Sequence, residues 1–188
     1  MNYKIHMKNN LVILLLLVFF ASCEKAIPRK PVVRKSSTFL KESIERNKVI
    51  NKLEEDVFSQ LMEEDTIHNY ISSSSGFWYY YTEKNISSTE LPIKGDEVFY
   101  SYEIKDINNE VLYTEDELGE RTYLVDKQEL ITGLQDGLKL MKEGEIVTFL
   151  FPSHKAYGYS GYKKIGTNQP LVYTVKVKKI IFNSQKIK

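Results

Sequence analysis

One cysteine, Cys23, is all that 188 residues contain, so neither an intramolecular disulfide nor a cysteine metal cage can form. The three histidines, His6, His68 and His154, are scattered without ligand spacing, which argues against a histidine metal centre; no metal and no cofactor is expected. Charge of one sign is also lacking, since 26 Lys and Arg face 25 Asp and Glu. That balance excludes a global basic field, and with it a nucleic-acid partner. No apolar run reaches the ~20 residues of a membrane-spanning helix. The stretch from Lys127 to Gly161, rich in apolar residues and tyrosines, offers no nucleophile, acid and base trio. Chemistry there has to proceed without covalent attack.

What the chain does contain is aromatic and apolar. Thirteen Tyr and nine Phe, with 42% hydrophobic and 27% charged residues, describe a globular protein with one core of roughly 100 to 150 residues and something left over. At the start, Lys4, His6 and Lys8 precede the apolar run Leu11 to Phe20, the pattern of a secretory signal over residues 1–22. It ends in Phe20-Ala21-Ser22-Cys23. Small residues ahead of a cysteine resemble the bacterial lipobox, although a Leu-like aliphatic is usual where Phe20 stands. Cys23 is then the lipidated residue, and several acyl chains suffice for stable anchoring. The expected location is the cell envelope, on the periplasmic side of the inner or the outer membrane. An uncleaved anchor is the alternative. Residues 23–37 follow as a basic, proline-containing linker with no acid after Glu24.

Residues 38–71 form the next region. Leu40, Ile44, Val49, Ile50, Leu53, Val57, Phe58 and Leu61 recur at steps of mainly three and four, which predicts one amphipathic helix from Thr38 to about Glu64. It either packs on its own domain or meets a second copy or another partner. After the break Ser72 to Gly76, Phe77 to Tyr81 reads as a strand. Val98, Tyr100, Tyr102 and Ile104 alternate with polar or half-buried positions as a second. Asn108-Asn109 suits a tight turn. Val111 to Thr114 and Thr122 to Val125 read as one strand with an acidic interruption. A short helix carries Leu130, Leu134, Leu138 and Met141 and is stopped by Gly144, and strands follow at Ile146 to Phe151 and Leu171 to Val177. The fold class is α+β: a curved antiparallel sheet of about five strands wrapped on one short helix, preceded by the N-terminal amphipathic helix. A groove between helix and sheet, lined by Tyr, Leu and Ile, is the default binding place.

Gly95-Asp96 followed by VFYSY, then KQELITGLQDGLKLMKEGE, FPSHKAYGYSG and PLVYTVKV, resemble the FK506-binding-protein (FKBP) class of peptidyl-prolyl cis-trans isomerase over residues 76–182, leaving 183–188 as a polar tail. The tether, the N-terminal helix and the SGFWYYY segment are most similar to the gliding-motility lipoproteins of this class from Bacteroidota. The resemblance implies an isomerase acting on Xaa-Pro segments of exported clients, linked to a gliding or secretion machinery. It also implies site residues. Tyr157 matches a loop tyrosine whose hydroxyl points at the bound carbonyl, the amide of Ile131 donates to a carbonyl, and Tyr102 ends the second strand. Leu112, Glu129, Leu130, Leu134, Tyr162, Ile165 and Tyr173 match further substrate-binding positions. Tyr113 also matches one, but stands where the family usually carries Asp, a departure that bears on catalytic strength. A non-catalytic binding module and a purely structural assembly lipoprotein are the competing readings.

Overall fold

The structure is a computed structural model in which residues 36–183 are described. The apolar run, Cys23, the linker up to residue 35 and residues 184–188 lie outside the described residues. The chain divides after Phe39 into two compact units, and apart from the first turn of the leading helix every element below belongs to the second.

Helix α1 spans Ser36–Glu64. Ile50, Glu54, Phe58 and Leu61 share one face of it, and Glu54 and Phe58 are buried. The Phe58 ring lies 5.6 Å from that of Trp78, so this face packs on its own domain. Val49, Leu53 and Val57 form a second stripe that stays exposed, as do Leu40 and Ile44.

The strands are β1 (Ile71–Ser72), β2 (Trp78–Glu83), β3 (Glu97–Lys105), β4 (Val111–Tyr113), β5 (Arg121–Leu124), β6 (Ile146–Phe151) and β7 (Leu171–Ile181). All pair antiparallel in the order β1-β2-β6-β7-β3-β4, with β5 on the N-terminal half of β3. Seven strands stand where about five were expected, for two reasons. The two-residue β1 is too short to leave a periodic signal. The acidic interruption is a helix, α2 (Glu115–Leu118), that separates β4 from β5. Its capping box spans Thr114-x-x-Glu117: the Glu117 amide donates to Thr114 Oγ1 at 3.2 Å, and the Thr114 amide donates to Glu117 Oε2 at 3.0 Å. The turn at Asn108-Asn109 forms as expected, with Asn109 at φ 69° and Asp106 accepting from the amides of Asn108 and Glu110.

Alternation along the long strands sorts the core. Val98, Tyr100 and Ile104 of β3, Val147, Phe149 and Phe151 of β6, and Leu171, Tyr173, Val175 and Val177 of β7 are buried in one cluster with Leu134 and Leu138 of helix α3 (Thr132–Leu138). This helix is shorter than the apolar pattern suggested: Leu130 precedes it and Met141 follows it, still buried, and Gly144 lies in the turn before β6 instead of ending the helix.

Two glycines let α3 sit close to β6. A Cβ on Gly133 would come within 2.7 Å of the Phe151 ring and 3.0 Å of the Lys155 carbonyl oxygen, and one on Gly137 within 3.0 Å of the Phe149 ring. Alanine at 133 would gain about 1 kcal/mol of helix propensity. Forcing a fully buried ring aside costs about 1 to 3 kcal/mol, so overpacking wins. Gly133→Ala is expected to lower the midpoint of urea unfolding; an unchanged or raised midpoint would show that the close approach is not a constraint.

Candidate functional site

Strand β3 and the segment from Tyr113 through β5 form one side of a cavity of about 520 Å³; the loop after β6 forms the other. Four of the residues singled out from the sequence line it: Tyr102, Tyr113, Tyr157 and Tyr162. The rest of the wall is Ile104 and Leu118, which are apolar, and Glu117, Arg121, Lys163 and Lys164, which give it a charged rim. Sequence reasoning missed these six. Ile104 was legible as the next inward residue after Tyr102 on β3, whereas the rim residues come from α2, the first position of β5 and the far loop, which no periodicity brings together.

The other expected site residues lie off this wall. Leu134, Ile165 and Tyr173 are buried in the core, and Leu112, Leu130 and Ile131 are half-buried against it. Tyr173 stands directly behind the wall, its ring stacked on that of Tyr102 at 5.6 Å and 9°. Ile131 is the N-cap residue of α3; its carbonyl accepts from the amides of Leu134 and Gln135, and its own amide donates to no group among the described residues. Glu129 is exposed.

The loop carrying Tyr157 and Tyr162 is held at several points. At its start, Glu54 of α1 reaches across: the Ser153 amide donates to Glu54 Oε2 at 2.7 Å and the Ser153 hydroxyl to Oε1 at 2.6 Å. An acid on the same helical face as Ile50, Phe58 and Leu61 was the one sequence signal for this contact. Further on, Tyr162 and Ile165 exchange backbone hydrogen bonds of 2.8 Å around a tight turn. Gly161 makes that turn feasible, with φ 59° and a Cβ position only 2.6 Å from the Ile165 carbonyl oxygen. Tyr162 thereby stacks on Tyr157 at 5.3 Å and 10°. At the far side the Lys164 amide donates to the Tyr113 hydroxyl at 3.1 Å, and Lys164 Nζ lies 4.8 Å from the Tyr113 ring centre and 3.0 Å from Glu117. Tyr113, unusual by family resemblance, is here a tie between β4 and the loop.

Electrostatics favour donors. Burial first, then the Tyr157 hydroxyl, raises the Tyr102 pKa, with Arg121 opposing; burial raises those of Tyr100 and Tyr173 as well. These phenols stay protonated at neutral pH. The Thr114 amide first, then Lys164, holds the exposed Glu117 carboxyl below its ordinary range. Among the described residues no group of three or more His, Cys, Asp or Glu could hold a metal. The site can therefore offer apolar and aromatic walls and neutral hydrogen-bond donors, and no activated nucleophile.

Comparison with known proteins points the same way. Residues 88–178 match the family model for FKBP-type peptidyl-prolyl cis-trans isomerase. A probable FKBP-type peptidyl-prolyl cis-trans isomerase, FkpA, of Neisseria meningitidis serogroup B is 30% identical over 140 residues, 73% of this chain, and the chain spans about half the length of that relative (50%). The crystal structure of FkpA from Escherichia coli aligns with a TM-score of 0.55 at 20% identity, over 92% of this chain and 82% of that one, which shows a shared fold.

Tyr113→Phe removes the acceptor of the Lys164 amide and leaves the ring. Amide hydrogen exchange at Lys164 is expected to speed up by about three- to tenfold, the worth of one hydrogen bond of about 1 kcal/mol. An unchanged exchange rate would mean that the hydroxyl does not hold the loop.

Proposed function

We propose that this chain, of which residues 88–178 match the family model, is an FKBP-type peptidyl-prolyl cis-trans isomerase, and that it is a lipid-anchored enzyme that rotates Xaa-Pro bonds in exported clients. The observation that carries the reading is that Tyr102 and Tyr157, two phenols, face one aromatic-walled cavity inside the matched segment.

The chemistry asks for no more than that. Rotation about an amide meets a barrier of about 18 to 20 kcal/mol because the C–N bond is partly double. For proline the cis and trans states differ by only about 0.5 to 1 kcal/mol, so the barrier is the whole problem. No bond is made or broken, and an enzyme need only bind the twisted, non-resonant amide better than the planar one. The twisted form has lost charge separation, so an aromatic wall penalises it less than it does the planar form. A millionfold gain corresponds to about 8 kcal/mol, within reach of apolar fit, distortion and one or two directed hydrogen bonds. In this reading the Tyr157 hydroxyl and the free amide of Ile131 are the directed donors, and Tyr102 is the third catalytic contact. Leu112, Tyr113, Glu129, Leu130, Leu134, Tyr162, Ile165 and Tyr173 shape or back the substrate site. Lipidation at Cys23 tethers the domain to the envelope. The exposed stripe of α1, Val49, Leu53 and Val57, is the surface for a second copy or for a partner in a gliding or secretion machinery.

A second reading, a non-catalytic binding or chaperone module, is favoured by Tyr113, which ties the loop where the family carries an acid.

Refolding of a protein whose slow phase is proline isomerisation separates the two. The full chain in detergent is expected to accelerate that phase at micromolar concentration, and Tyr157→Phe to lower kcat/KM by about three- to tenfold through one lost hydrogen bond. Suppressed aggregation with an unaccelerated slow phase would select the binding module. Cys23→Ser is expected to shift the protein from the membrane to the soluble fraction of the envelope; retention in the membrane fraction would rule out the lipid tether.

A further inference from the structure

Two buried side-chain oxygens among the described residues have no hydrogen-bond partner, Ser101 Oγ and the Tyr173 hydroxyl. A buried hydroxyl without a partner destabilises the fold relative to its isostere without the oxygen, and such groups in native proteins call for an explanation. For Tyr173 the surroundings supply one. Its ring is 1% exposed and stacks on Tyr102, which lines the cavity. Tyr102 and Tyr157 line the same cavity and both pack against the core cluster that holds Tyr173, and after burial it is the Tyr157 hydroxyl that raises the Tyr173 pKa. Phenylalanine would pack as well at this place in the sheet, so the oxygen is not there for packing.

We infer that the Tyr173 hydroxyl is a positioning group for the Tyr157 hydroxyl: when a substrate carbonyl enters the cavity, Tyr173 donates to the phenolic oxygen of Tyr157, whose own proton is thereby held toward the carbonyl. The inference rests on the isomerase reading above. Catalytic hydrogen bonds are often long or misaligned in the free enzyme and close only with substrate bound, which fits a Tyr173 hydroxyl that has Tyr157 as its hydrogen-bonding neighbour yet makes no bond of ordinary distance and angle. Hydrogen bonds in a chain polarise one another, so a donor behind Tyr157 strengthens the bond in front of it. A stability defect in the free state is then the counterpart of a better-aimed donor in the transition state.

Tyr173→Phe deletes only the oxygen. Ser101→Ala is the matched control: it deletes the other unpartnered hydroxyl, which strand alternation places on the face of β3 opposite Tyr100 and Tyr102. With the full chain in detergent, kcat and KM for an Xaa-Pro peptide and the thermal midpoint would be measured for each variant. Tyr173→Phe is expected to lower kcat about three- to tenfold at unchanged KM, with a midpoint equal to or above wild type. Ser101→Ala is expected to keep wild-type kcat with a midpoint no lower. In a Tyr157→Phe background, adding Tyr173→Phe is expected to change kcat no further, because the second hydroxyl acts through the first. Wild-type kcat in Tyr173→Phe, an equal loss in Ser101→Ala, or additive losses in the double variant would overturn the inference alone. A wild-type protein that fails to accelerate isomerisation at all would overturn the isomerase reading and this inference with it.

Discussion

Helix α3 lies so close to strand β6 that the rings of Phe149 and Phe151 fill the places where side chains on Gly133 and Gly137 would be. The site depends on that approach. It brings the first turn of α3 against the loop after β6, where the Thr132 hydroxyl donates to the Lys155 carbonyl at 3.4 Å and the same carbonyl lies 3.0 Å from the Cβ position of Gly133. The two proposed donors, the Ile131 amide at the head of α3 and Tyr157 two residues beyond Lys155, are thus placed relative to each other by one packed contact. A sub-ångström change there would be felt at both, since close-packed interiors transmit displacement instead of absorbing it.

The same loop is tied from outside the core. Glu54 of α1 holds its start through Ser153, Tyr113 of β4 holds its far end through Lys164, and Tyr162 stacks on Tyr157 in between. The contact to Glu54 joins residues 99 apart in sequence and buries a carboxylate against two donors. Helix α1 is therefore more than a spacer ahead of the domain: its C-terminal half braces the loop after β6, while its second apolar stripe remains exposed.

Much of this architecture was legible in the residues. Period-two alternation marked β3 and β7 because one face of each is buried, and steps of mainly three and four marked α1 as a helix although most of its apolar residues stay exposed. The Tyr102 and Tyr157 pair was legible only through family resemblance, since a tyrosine on a strand and another in a loop carry no spacing relation. Three features were not legible. The split of β4 from β5 by α2 rests on a capping box four residues long, read as an interruption. The rim of Glu117, Arg121, Lys163 and Lys164 is brought together by loop conformations with positive φ at Gly161 and Lys163. Helix α3 ends at Leu138 although apolar periodicity runs on to Met141, because Met141 is buried by tertiary packing without being helical.

A pocket that only holds proline and one that turns it look alike in a static structure; they differ in whether the twisted amide is bound better than the planar one. Two-dimensional exchange NMR on an Xaa-Pro peptide with a substoichiometric amount of the protein tests this most directly. Uncatalysed interconversion takes tens to hundreds of seconds and gives no exchange cross-peaks at sub-second mixing times. With an isomerase, cis–trans cross-peaks are expected to build up within such mixing times and to scale with protein concentration. Peptide resonances that shift or broaden on binding, with no cross-peaks between the two isomers, would contradict the isomerase reading.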